Sequence, residues 1–146
     1  MVERLKLRAG DAEDLSVISA VLQDAVVPAD EMAYLPDERR FVLIANRFRW
    51  EDADEVPVPG RIYERVHCAL VIDAVQAVRT RGVDPRSKDR ILSLLALEYR
   101  DGAIELVFSA GAAIRLEVER IICHFEDVAE PYPTRWRPSH ALDERG

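Results

Sequence analysis

The dipeptide Asp101-Gly102 separates two extended runs, "RILSLLALEY" and "AIELVFS". Asp-Gly in that setting is a preferred two-residue hairpin turn, because both central residues must take positive φ. Beyond it, Ile104, Leu106 and Phe108 alternate with Glu105. "AGA" then turns the chain into "AIRLEV", where Ile114, Leu116 and Val118 share one phase while Arg115 and Glu117 take the other. A side-chain period of two puts each set on its own face of a sheet. The feature therefore demands a meander of antiparallel strands, and an all-helical fold is excluded.

The same period extends towards the N-terminus. "EMAYL" and "RRFVLIANRFRW" flank "PDE", a turn with an early proline, and read as a hairpin. "EDADEVPVPG" is an acidic loop carrying two prolines and a glycine. In "RIYERVHCALVI" the residues Val66, Cys68, Leu70 and Ile72 fall in one phase. "AVQAVRTRG" extends or bends that strand after Asp73, and "VDPRSKD" is a polar turn. "RILSLLALEY" is apolar on both faces, which suits a central strand.

Two segments carry a helical period instead. "LKLRA" is a short strand leading into "GDAEDLSVISAVLQDAVV", with Asp11 as N-cap and Asp14 placed to answer it. Leu15, Ile18, Leu22 and Val26 recur at helical spacing, and Pro28 ends the run. Near the other end, Val118, Ile121, Ile122, Phe125 and Val128 give a stripe that predicts a last helix closed by Pro131. The expected architecture is α+β: a strand–helix unit, then a strongly bent antiparallel sheet or partly open barrel of about seven strands, covered by the C-terminal amphipathic helix. That arrangement resembles the pleckstrin-homology-like fold; a plain helix-covered antiparallel sheet is the second choice. Residues 1–146 read as one domain, with 131–146 an extended, proline-rich strap.

Charge limits the partners. The chain carries 20 basic and 27 acidic residues, a formal net charge of −7. Such a balance opposes non-specific attraction to nucleic acid or to an anionic membrane. Only residues 61–100 are positive on balance, with eight basic against five acidic residues. No run has the length or hydropathy of a signal peptide or a membrane span, so the expected location is cytoplasmic. Cys68 and Cys123 are then expected as free thiols.

The pairs His67-Cys68 and Cys123-His124 offer the residue types of a zinc site but lack a tight ligand clamp. On a strand His67 faces away from Cys68, and on a last helix Cys123 and His124 fall off the apolar stripe. No metal or cofactor is assigned. Neither a G-x-S-x-G elbow nor a glycine-rich phosphate loop is present, so catalysis lacks a frame and no catalytic residue is named.

Two segments remain as binding candidates. "RTRGVDPRSKDR" concentrates Arg79, Arg81, Arg86 and Lys88, a set of cations able to grip a phosphate-bearing ligand, although charge clusters on loops are more often simply solvated or paired with nearby acids. "EPYPTRWRPSH" holds Tyr132, Arg135, Trp136 and Arg137 on a backbone stiffened by proline. Tyr, Trp and Arg are the side chains enriched where protein partners bind tightly. A strap that covers a sheet edge of its own domain is the structural alternative. The leading reading is a non-catalytic protein-interaction module, binding a partner or itself; the alternative is an anion-binding domain using residues 79–90.

The blocks "LKLRAGDAEDLSVISAVLQDAVV", "MAYLPDERRFVLIANRFRWE", "KDRILSLLALEY", "VFSAGAAIRLEVE" and "PYPTRWRPSHAL" together resemble a bacterial (alphaproteobacterial) family, the domain of unknown function DUF 2948. The resemblance spans nearly the full length. It implies no activity, cofactor or functional residue.

Overall fold

A computed structural model describes residues 4–53, 58–83 and 89–138. The described residues form one α-helix, α1 (Ala12–Val21), and eleven strands. In chain order the strands are β1 (Lys6–Ala9), β2 (Ala25–Pro28), β3 (Met32–Leu35), β4 (Arg40–Phe48), β5 (Tyr63–Ile72), β6 (Val75–Arg81), β7 (Ile91–Arg100), β8 (Ala103–Phe108), β9 (Ala113–Val118), β10 (Cys123–Asp127) and β11 (Tyr132–Thr134).

All pairings are antiparallel and join one open sheet in the order β1-β10-β5-β4-β2-β7-β8-β9-β6. Strand β3 adds to β4, and β11 adds to β5. Between its two halves the sheet narrows to a single paired residue, Val26 on β2 opposite Asn46 on β4.

The expected hairpins form where the turn chemistry placed them. Met32–Leu35 pairs with Arg40–Leu43 across the Pro36–Glu38 turn, and Arg100 faces Ala103 across Asp101-Gly102. Both turn residues there have positive φ, 51° and 76°. The second turn, at Ala110 and Gly111, also uses positive φ (61° and 75°).

Asp11 caps α1 as its sequence predicts, accepting the Asp14 backbone N–H at 2.7 Å. Leu15, Ile18 and Leu22 are buried and pack the helix against β1 and β7. They meet Phe41, Leu43, Leu70, Ile72, Leu94, Leu106 and Leu116 in one continuous core. Each of these large side chains contributes about 1.5–3 kcal/mol on burial.

Three expectations are corrected. The helix is shorter than its period suggested: it stops at Val21, and Asp24 turns the chain at φ 61°. Ala25 and Val27 then face inward on β2 while Val26 does not, so Val26 is no part of a helical stripe. Residues 75–81 do not prolong β5. They cross to the far edge of the sheet and pair with β9.

The third correction decides the fold class. Among the described residues there is no C-terminal helix over a seven-stranded barrel, and they do not form the pleckstrin-homology-like arrangement. Residues 123–127 form β10, inserted between β1 and β5. Ile121, Cys123, Phe125 and Asp127 are buried, while His124, Glu126 and Val128 are exposed. This is strict alternation, with a carboxylate occupying an inward position. Among the described residues, the helix that covers the core is α1, from the other end of the chain. "RILSLLALEY" does lie inside the strand order, as β7 between β2 and β8, yet Ile91, Leu95 and Tyr99 remain exposed.

Candidate functional site: an arginine–aromatic face under the C-terminal strap

Strand β11 lies along the N-terminal half of β5, with Tyr132 opposite Arg65 and Thr134 opposite Tyr63. The C-terminal half of β5 is occupied on the same side by β10. The strap thus covers a stretch of edge that would otherwise be open. Proline suits this place, since a short terminal strand needs few of its own donors.

Beneath the strap, side chains alternate away from the core. Val66 and Cys68 point inward; Arg65 and His67 point outward. Arg65 is nevertheless buried, at 6% exposure. Its Nε donates to Asn46 Oδ1 at 2.6 Å and its Nη2 to Asn46 O at 2.9 Å. Asn46 in turn donates through Nδ2 to the Tyr132 hydroxyl. The Trp136 ring lies 5.4 Å from the Arg65 guanidinium and forms its roof. Arg65 Nη1 is buried with no hydrogen-bond acceptor. Burial lowers the pKa of Arg65, and contact with Tyr132 offsets part of that effect.

Beside this layer stands an aromatic group. Phe48 meets Trp50 edge-on at 4.8 Å and Tyr63 at 5.4 Å. Trp50 Nε1 donates to Gln23 O at 3.0 Å, anchoring the ring to the turn after α1. Arg137 reaches back from the strap to lie 6.0 Å from Trp50 and 5.8 Å from Tyr63. Its Nη1 is also shielded, without an acceptor. Arg61 approaches the Tyr63 ring at 5.7 Å. Val58, Pro59, Gly60, Arg61, Tyr63, Arg135 and Arg137 line a groove of about 380 Å³.

Much of this face stays accessible. Trp136 is 57% exposed, and Val58, Ile62 and Tyr132 are exposed large hydrophobics on the neighbouring segments. The strap packs on its own sheet through β11 and the contact of Trp136 with Arg65, while much of the Trp136 surface stays exposed.

A second polar cluster lies at the core edge. Arg47, with no exposed side-chain surface, forms two 2.8 Å bonds to the carboxylate of Asp127. It forms two more to Glu51, at 3.0 and 2.8 Å. Burial opposes the charge on Arg47, but the bonds to Asp127 and Glu51 outweigh it and the guanidinium is held protonated more firmly than usual. For Glu51, burial alone would raise the pKa; Arg47 reverses this and holds the carboxyl below its usual value. Every partner in this cluster is engaged, so it reads as a structural clamp between β4 and β10.

Part of the basic segment falls within the described residues. Arg79 and Arg81 project from β6, where Arg79 faces Arg115 directly across β9. Arg86 and Lys88 lie outside the described residues. The cysteine–histidine pairs do not converge: Cys68 and Cys123 are both free and buried in the core, whereas His67 and His124 are exposed. Cys123 thus points to the same side as Cys68, contrary to the helical expectation. Burial pushes each thiol up to about 12, so neither is a thiolate nucleophile near neutral pH.

Arg61, Tyr63 and Arg65 were the residues that sequence reasoning missed. Their alternation in "RIYER" is the available signal, overshadowed by the apolar phase that follows it in the same strand.

The family model described as "Protein of unknown function (DUF2948)" matches residues 5–140. The chain belongs to this family. No curated protein and no solved structure matches it.

Proposed function

We propose that this chain is a non-catalytic protein-interaction module whose docking surface is the arginine–aromatic face under the C-terminal strap. The observation that carries the reading is Trp136, fixed on one side by Arg65 and open to solvent on the other. A large rigid ring held in place and half exposed loses little entropy on binding. Val58, Arg135 and Arg137 line the adjoining groove, and Ile62 is exposed on the segment that leads into β5. Tyr, Trp and Arg around an apolar margin is the composition of interface hot spots. The complementary partner is a protein segment that offers an apolar side chain next to a carboxylate, since a guanidinium pairs bidentately with that group. Two buried free thiols support a reducing, cytoplasmic setting.

The test is a Trp fluorescence titration with a 12-residue peptide of repeating Glu-Glu-Leu, in low and in high salt. Binding should saturate, weaken with salt, and be lost in Trp136→Ala and in Arg135→Ala/Arg137→Ala. A peptide that binds all three proteins equally, or none, overturns the reading. Analytical ultracentrifugation of the protein alone covers self-association: a dimer abolished by the same substitutions would make the partner a second copy.

A further inference from the structure

The geometry points to the free edge of β6 as a second docking site, one that takes an acidic, extended segment of a partner protein as an added strand. It rests on different residues from the strap face and stands or falls separately.

Strand β6 closes the strand order and, among the described residues, pairs only with β9. At its start the open side is already occupied, because Val75 N–H donates to Arg39 O at 2.9 Å and the Tyr34 hydroxyl reaches Val75 O at 3.4 Å. From Gln76 to Arg81 no strand lies on that side among the described residues. The stretch contains no proline, and its one irregularity lies between Val75 and Ala77. Val78 and Thr80 are β-branched and favour extended backbone. Nothing in this backbone deters a further strand.

The deterrent is charge. Arg79 and Arg81 stand two residues apart on the outer face, and Arg115 joins them directly opposite Arg79. Like charges at such a position repel. Glu117 lies 3.6 Å from Arg79 and Glu105 lies 3.9 Å from Arg115, both beyond hydrogen-bond reach. Arg81 has no ion pair among the described residues. Arg79, Thr80, Arg81, Glu105, Ala113 and Arg115 line a small open cleft of about 160 Å³, three guanidiniums against one carboxylate.

A second copy of this chain is a poor occupant, since antiparallel edge-to-edge pairing would set arginines against arginines. Charged edges of this kind guard against self-pairing. They also select: an extended segment with Glu or Asp at alternate positions would meet Arg79 and Arg81 while its backbone completes the ladder.

The experiment uses the full chain and the acetylated peptide Thr-Glu-Val-Glu-Val-Glu-Thr, with fluorescence anisotropy for affinity and amide hydrogen exchange for site. We expect protection of amides within residues 76–81 and weaker binding in high salt. Affinity should fall about tenfold in Arg79→Glu/Arg81→Glu, the loss for two exposed ion pairs near the upper end of their range. Arg135→Ala/Arg137→Ala should bind this peptide as the parent does. A peptide N-methylated at alternate amides keeps every carboxylate but cannot pair, and it should not bind. Circular dichroism establishes that the charge-reversed variant is folded. Equal affinity for the N-methylated peptide, unchanged affinity in the reversed variant, or no protection at millimolar peptide would each overturn the proposal, leaving these arginines as edge guards only.

Discussion

Replacing Asp127 with Asn probes the feature that disguises β10 in the sequence. The substitution keeps shape and removes the charge that receives two 2.8 Å bonds from Arg47. Arg47 has no exposed surface and Asp127 is 4% exposed, so water cannot take over. Removing one partner of a buried pair costs about 3–5 kcal/mol. Glu51 still holds Arg47 through two bonds, which places the expected loss at the lower end, about 3 kcal/mol. For a chain of this size that is a Tm decrease of roughly 6–12 °C, at about 2–4 °C per kcal/mol. Urea denaturation gives the free energy directly, with the slope m unchanged if only the native state is affected. Glu51→Gln should cost less than about 1 kcal/mol, because its side chain is 39% exposed. The double variant Arg47→Met/Asp127→Leu should be more stable than Asp127→Asn alone, since it removes both fully buried charges and leaves only Glu51, whose side chain is 39% exposed and reaches water. The reasoning fails if Asp127→Asn loses no more stability than Glu51→Gln, or if the double variant is the least stable of the three.

Two further outcomes follow from the packing. A chain ending at Ala129 lacks β11, so it uncovers Arg65 and the edge at Tyr63–Arg65. Its stability should fall by about 1–3 kcal/mol, from lost hydrogen bonds and the cation–π contact, and light scattering should show association. Cys68 and Cys123 should react with a disulfide reagent only at the rate of unfolding, read as thiol release with and without urea. Their folded pKa of about 12 lies above the unfolded value of 9.0. The stability this contributes is intact below about pH 9 and declines as pH rises towards 12. Substitution of both by Ser should change that alkaline slope in urea titrations.

The parts of the fold legible in the sequence were those governed by local chemistry. Asp101-Gly102 and the alternating residues after it defined β8 and β9 because turn type and register are set within a few residues. Asp11 announced the start of α1 for the same reason. Its end was obscure: no glycine or proline marks Asp24, and Val26 happens to fall on the helical period. Strand β10 was missed because Asp127 fills an inward position that an apolar residue normally takes. Its partner, Arg47, is 80 residues away, and only the register of β4, β5 and β10 brings them together. Ile122 and Val128 then completed a helical stripe that does not exist. The candidate site was half readable. Tyr132, Arg135, Trp136 and Arg137 stood out by composition, whereas Arg61, Tyr63 and Arg65 acquire meaning only once β11 is laid beside β5.

The central functional claim is that a protein segment docks on the strap face. Chemical-shift mapping of the isotope-labelled chain with the Glu-Glu-Leu peptide tests it residue by residue. The account predicts the largest changes at Val58, Ile62, Tyr132, Arg135, Arg137 and the Trp136 indole. Saturable binding that leaves those signals in place and shifts others instead would contradict it.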